Sequence, residues 1–360
     1  MIYKKKTFLN YKYLLNIMKC IFCKNEIGNH NSTKEHIIPQ FFGGKYFTYN
    51  VCKNCNNIIG GNFESTMSKD PLITFILSFF QMKKKTGKYF TPHILLQDGD
   101  DKYIIKSDGE GCYYMHFITQ NIKIENKYTM RFDRTESSEY IESTLNKKIE
   151  RLNAKYGGNI PPYNKNTKNN FKVIESLGLG NPIEFNFEFE THNLNKLFAK
   201  IAYEFTGTCL NSRYLMDYRG KILKNSLKLE KDEFNRFMGS EGENFIYSIN
   251  TKKIIICIEN VIKTSQENTI RNMGNLKHIP PSNGNYIHKI SLIKRNKQLF
   301  IGIDLFNIFK SKICVSNNCD KYEFNNGTIA EMICGRKNDE TIKRINSNYE
   351  EIVSNLNFSI

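Results

Sequence analysis

The chain has 360 residues, enough to bury a sizeable core, and two or three domains are expected. A formal charge of +16 favours a polyanionic partner, nucleic acid first, although a chain so rich in Lys, Asn and Ile gains part of that charge from composition alone. No run reaches the ~18 apolar residues that a membrane-spanning helix needs, which argues against a membrane partner.

Residues 1–19 read as a basic lead-in, with Lys4, Lys5 and Lys6 but neither a continuous apolar core nor a small-residue cleavage site. A signal peptide is therefore not expected and a cytoplasmic location is. With thiols reduced there, ten cysteines point to metal ligands and buried thiols rather than disulfides. Residues 20–70 form a module of their own. Cys20-Ile-Phe-Cys23 and Cys52-Lys-Asn-Cys55 have the spacing of one tetrahedral thiolate site for zinc. Four sulfurs leave no open position, so this zinc is structural, a staple for a segment too short to be held by burial alone. Cys314 and Cys319 have no second pair nearby and read as ordinary thiols.

Residues 71–155 open with Ser68-Lys69-Asp70-Pro71, which is helix-start chemistry, and Leu72–Met82 is the expected buried helix. Lys83-Lys84-Lys85 marks its basic exit. Ile94–Leu96, Tyr103–Ile105, Tyr113–Ile118 and Ile122–Met130 are short β-rich runs, separated by Asp98-Gly99-Asp100 and Asp108-Gly109-Glu110-Gly111, and predict an antiparallel sheet. Thr135 opens an amphipathic helix with Ile141, Leu145, Ile149 and Leu152 at helical spacing. Residues 156–170, with Gly157-Gly158 and Pro161-Pro162, read as a linker or long loop.

Residues 171–360 read as an α+β body whose role no motif declares. Its expected elements are a strand at Ile183–Phe189, a helix at Asn193–Phe205 stopped by Gly207, and strands at Ile254–Ile258, Tyr286–Leu292 and Leu299–Leu305. The last two pair through Lys294-Arg295-Asn296-Lys297, and a final helix covers Glu340–Val353. The fold class is thus α+β: a small zinc-stapled module followed by an α+β body that contains antiparallel sheet.

Between the zinc arms stand Glu35-His36-Ile37-Ile38-Pro39, Gly43-Gly44 and Asn50, and Asn56 and Asn57 follow Cys55 directly. An imidazole with a pKa near 6.5 suits the deprotonation of water near neutral pH. At these residues the sequence resembles the HNH endonuclease family, in the branch that carries E-H-I-I-P, a G-G pair and C-x-x-C-N-N. The resemblance is close over about residues 20–70 and continues weakly after Asp70 and into Lys200-Ile201-Ala202-Tyr203-Glu204. It implies a ββα-metal fold around one catalytic ion. It implies His36 as general base, Glu35 and Asn56 as ligands of that ion (Asn57 by a one-residue slip), and Asn50 as the residue that holds the loop and orients the imidazole. Many relatives carry histidine where Asn56 stands; oxygen donors favour Mg²⁺ or Mn²⁺. Gly43-Gly44 is expected to turn the loop sharply against a nucleic-acid backbone, with Lys45 and Lys53 as phosphate contacts. The expected activity is metal-dependent hydrolysis of phosphodiester bonds in DNA, with RNA as the other candidate substrate. Two alternatives compete with it: a zinc-stapled nucleic-acid-binding module without catalysis, and a nuclease gated by a ligand-sensing C-terminal half.

Overall fold

Helices and antiparallel strands share the chain in the computed structural model, which describes residues 18–44, 46–92, 94–98, 101–107, 112–117, 120–124, 127–132, 138–157, 162, 173–175, 189, 191–210, 214–270, 286–322 and 328–334. Two compact units emerge. One comprises Met1–Phe90, Phe189–Ile256 and Pro280–Ile360, and the other Thr91–Glu188 and Cys257–Ile279.

The first unit begins with two minimal hairpins and a helix. Strands β1 (Met18–Lys19) and β2 (Glu26–Ile27) pair antiparallel, as do β3 (Glu35–His36) and β4 (Phe47–Thr48). Helix α1 (Lys53–Ile59) follows β4 and runs on through a π-helical turn, Gly60–Glu64, into a last α turn, Ser65–Met67. A π-turn admits one extra residue per turn and so re-aims the side chains after it. Helix α2 (Pro71–Phe79) starts as its sequence demands: the Asp70 carboxylate accepts the Ile73 N–H at 3.0 Å, and Pro71 occupies the first turn. It ends earlier than expected, at Phe79, because Gln81 takes a positive φ of 53° that no α-helix accommodates.

Helix α4 (Thr191–Cys209) is the core of this unit, buried on all sides. It packs on β13 (Gln298–Leu305) and β14 (Phe309–Ser316), on helices α5 (Tyr218–Ser226) and α6 (Lys231–Glu241), and on the π-turn. Leu194, Leu197, Phe198, Ile201 and Phe205 supply its apolar surface, as their spacing predicts. Gly207 does not stop it; the glycine lies inside the last turn with Leu215 and Tyr214 against it. The sheet is five-stranded and antiparallel, in the order β11 (Phe245–Ile249), β14 (Phe309–Ser316), β13 (Gln298–Leu305), β12 (Tyr286–Arg295), β15 (Thr328–Cys334). The β12–β13 hairpin is paired as expected. Its turn is two residues, Asn296 (φ 49°) and Lys297 (φ 64°), the left-handed pair that matches the twist of the strands.

In the second unit β5 (Ile94–Asp98), β6 (Asp101–Ser107) and β7 (Tyr113–Phe117) form an antiparallel sheet, and β8 (Gln120–Ile124), β9 (Lys127–Phe132) and β10 (Val173–Glu175) form a mixed one, in which β8 is antiparallel and β10 parallel to β9. The stretch Ile122–Met130 is therefore not one strand but parts of two that pair antiparallel, with Ile124 opposite Lys127. Helix α3 (Ser138–Tyr156) follows, with Leu145 and Ile149 buried. One further expectation is overturned. Ile254–Ile258 is helical, inside α7 (Thr251–Ile270), because Asn250 caps that helix by accepting the Lys253 N–H at 3.1 Å. Most of the expected loop at 156–170, nearly all of Ile183–Phe189, and the helix Glu340–Val353 lie outside the described residues. Among those residues no helix is long and apolar enough to cross a membrane.

Candidate active site

The four cysteines of the two C-x-x-C pairs converge, their sulfurs all within 4.8 Å of one another. The first pair sits on a knuckle in which Cys20 N–H donates to Asn25 O and Lys24 N–H to Cys20 O, both at 2.8 Å, with Lys24 at φ 64°. The second pair opens α1. Cys52 is its N-cap residue and turns its own N–H toward Cys20 Sγ at 3.4 Å. Cys23 and Cys52 sulfurs are 3.7 Å apart, close to the ~3.8 Å edge of a tetrahedron with Zn–S bonds of ~2.3 Å. Burial pushes the Cys20 and Cys55 thiols up, and the Cys20 charge adds to this at Cys55. At Cys52 burial is outweighed by hydrogen bonds, and the thiol is brought down. Four thiolates so close need a cation, and this donor set fits zinc.

The staple aims the next hairpin. Ile21 N–H donates to Asn50 O at 2.9 Å, and Ser32 bridges Cys52, so the two ends of the β3–β4 hairpin are tied to the two cysteine arms. Strand β3 then presents Glu35 and His36. The imidazole Nδ1 lies 3.0 Å from Gly44 O, so Nδ1 carries the proton and Nε2 keeps its lone pair. Burial lowers the pKa of His36, with the charges of Lys34, Lys200 and Lys85 acting in the same direction against the Gly44 hydrogen bond. The ring is therefore neutral at pH 7. The Gly44 carbonyl can reach it because Gly44 has no side chain: a Cβ there would lie 1.7 Å from Ile38 O. Gly43, at φ 81°, makes the turn that leads in. The glycine pair thus serves the loop's own packing.

Glu35 is buried, and its partner comes from α4. Lys200 Nζ lies 2.6 Å from Glu35 Oε1, 2.9 Å from Glu64 Oε1, 3.1 Å from Glu204 Oε2 and 2.8 Å from the carbonyl of His36. An ammonium has three protons for these four oxygens, so some are held by charge rather than by an aligned hydrogen bond. Burial raises the pKa of Glu35 while Lys200 opposes it, and burial raises that of Glu204 still more. Lys200 stays protonated, since the three carboxylates outweigh its own desolvation.

Glu35, His36, Asn56, Asn57 and Glu64 all line one cleft of about 690 Å³. Asn56 directs its amide hydrogens to Thr33 Oγ1, at 3.1 Å, and to the Glu35 carboxylate, so its Oδ1 remains an acceptor. Two oxygen-donor side chains and an imidazole with an unprotonated nitrogen thus line one cleft.

Residues 20–72 match the HNH endonuclease family model. No curated protein and no solved structure is significantly similar to the chain. The HNH match ends before α4, so Lys200 and Glu204 lie outside it. Asn50 is not among the residues lining the cleft. It acts through its main chain, accepting from Ile21 and donating to Thr48 Oγ1 at 3.1 Å, and the imidazole is held by the Gly44 carbonyl. Lys53 is exposed on the first turn of α1 and does not line the cleft either; Lys45 lies outside the described residues. Sequence reasoning missed the part of Lys200 and Glu64. Two signals touch the first: the weak continuation of the resemblance into Lys200–Glu204, and the i, i+4 Lys-Glu pair in the buried stretch of a helix, a place where charges persist only when partnered.

Proposed function

We propose that the protein is a metal-dependent endonuclease that hydrolyses phosphodiester bonds in DNA. The observation that carries this reading is the common cleft of Glu35, His36 and Asn56, with the histidine held by its Nδ1 and open at Nε2. His36 Nε2 takes a proton from the attacking water, and the imidazolium so formed is steadied by the Gly44 carbonyl at Nδ1. Glu35 and Asn56 would hold a hard divalent ion, Mg²⁺ or Mn²⁺, their donors being oxygens. Such an ion, when bound, would supply charge neutralisation at the phosphate and at the departing 3′ oxygen. The chain's own part is to fix the water's acceptor, exclude solvent from behind β3 and keep Glu35 oriented through Lys200. Products would carry a 5′ phosphate. Zinc in the four-cysteine site has a structural role only.

The test is nicking and linearisation of plasmid DNA by the zinc-loaded protein with Mg²⁺ or Mn²⁺. His36→Ala should lower the rate by about 10²–10⁴-fold while leaving DNA binding intact. DNA binding without cleavage under any divalent ion would favour the second reading, a nucleic-acid-binding module without catalysis. That reading draws on one observation, that the Lys200 ammonium already occupies Oε1 of Glu35.

A further inference from the structure

Past α2 the chain folds back on itself at the cleft. Lys83 bridges Tyr89, Lys84 N–H donates to Lys88 O at 2.8 Å, and Gly87 N–H donates to Lys84 O at 2.9 Å, with Gly87 at φ 81°. This tight loop brings Lys83, Lys84 and Lys85 to the wall of the cleft that holds Glu35, His36 and Asn56, and Lys34 and Lys69 line the same cleft. All five lysines are exposed, and among the described residues none of the five is ion-paired. The contacts they do make are with rings: Lys83 Nζ lies 5.3 Å from the Tyr89 ring centroid, Lys84 Nζ 5.4 Å from that of Phe90, and Lys34 Nζ 3.9 Å from that of Phe47. A ring face steadies an ammonium and leaves its protons free to donate. The charges of Lys34 and Lys85 are also felt at His36. A run of lysines is usually a solvated face, but this one closes around the base.

We propose that Lys83, Lys84 and Lys85 form a phosphate clamp that grips the nucleic-acid backbone next to the bond to be cut. The clamp rests on the nuclease reading and extends it, since it lies beyond residues 20–72. Ammonium groups bind phosphates as point charges without reading bases, so the clamp provides affinity and register but no sequence choice.

Binding of a short fluorescent DNA duplex is measured by anisotropy between ~50 and ~200 mM salt, where each phosphate contact contributes a slope of about −0.9 in log K against log salt. The full-length, zinc-loaded His36→Ala protein serves as parent, so that no substrate is consumed. Adding Lys83→Ala, Lys84→Ala and Lys85→Ala should reduce the slope by two to three such contacts and weaken binding at least tenfold at the low-salt end. The same three positions changed to Arg should keep parental binding, and zinc content and melting temperature verify that each variant is folded. A triple-Ala slope equal to the parent's overturns the clamp while the nuclease reading stands. A parent that does not bind DNA overturns both.

Discussion

The ammonium of Lys200 sits 2.6 Å from Oε1 of Glu35, with both side chains out of water. A helix that begins at Thr191 thereby pins β3 of the zinc module, and through the carbonyl of His36 it holds that residue as well. Lys200→Met removes the one cation that, among the described residues, faces the three buried or half-buried carboxylates of Glu35, Glu64 and Glu204. Stranding buried charge in this way costs about 3–5 kcal/mol. The loss should be visible as a lowered denaturant midpoint, together with lost cleavage. Adding Glu204→Gln removes one of the stranded carboxylates, so the double variant should recover part of that stability, a non-additivity expected only of groups in contact. A Lys200→Met protein as stable as the parent refutes the burial of this cluster.

Zinc comes next. Elemental analysis should find one zinc per chain, bound by Cys20, Cys23, Cys52 and Cys55. Structural zinc binding is worth about 10–16 kcal/mol of apparent folding energy in small domains at neutral pH. Stripping it with a chelator should therefore lower the melting temperature and abolish cleavage, and excess Mg²⁺ or Mn²⁺ should not restore activity. Cys52→Ser should reproduce the loss. Full activity in a zinc-free preparation would contradict the staple.

The zinc module was legible because its chemistry is local: two C-x-x-C pairs and a Glu-His pair announce ligands and base within 36 residues, from Cys20 to Cys55. What was not legible depends on the fold bringing distant residues together. Lys200 is 164 positions from His36, and its helix reads as an apolar stripe in which one lysine carries no signal of where it points. The resemblance implies Asn50 as the residue that orients the imidazole, whereas the Nδ1 hydrogen bond goes to the main-chain carbonyl of Gly44; carbonyl directions are not written in residue types. Ile254–Ile258 read as a strand from its β-branched run, but the Asn250 cap and the helix's own length prevailed over that local preference. The β12–β13 hairpin was readable since its turn residues and flanking alternation agree.

Gly44 ties loop packing to the base. With Ile38 O 1.7 Å from where a Cβ would stand, Gly44→Ala must push the loop away and carry the carbonyl off Nδ1 of His36. Overpacking of this kind costs about 1–3 kcal/mol, and kcat should fall at least tenfold with KM little changed. In the parent, His36 titrates below its ordinary value, so the acid limb of the pH–rate profile should have its midpoint below about 6.5. Activity falls there as pH falls, because protonation removes the acceptor. Lys85→Ala takes away one opposing charge and should move that limb upward. A limb that stays at or above about 6.5 in the parent would mean that a different group acts as the base.

His288 provides a second pH test, this time of stability. It is fully buried on β12, with Nε2 donating to Phe42 O at 2.8 Å and Nδ1 left without a hydrogen-bond partner. Burial lowers its pKa to about 4, against an unfolded value of 6.5. Between these two values the unfolded chain holds a proton that the folded chain refuses, so acid favours unfolding there. The contribution is fully present above pH 6.5 and is lost as pH falls toward 4, a total of ~3 kcal/mol. His288→Gln keeps a donor for Phe42 O and cannot titrate, so the urea midpoint of the variant should depend less on pH over this window than that of the parent. If both midpoints fall equally, the imidazole takes up its proton without leaving the fold, and the site between Phe42 and Phe306 is more open to water than its rings, 6.4 Å and 4.5 Å from that of His288, indicate.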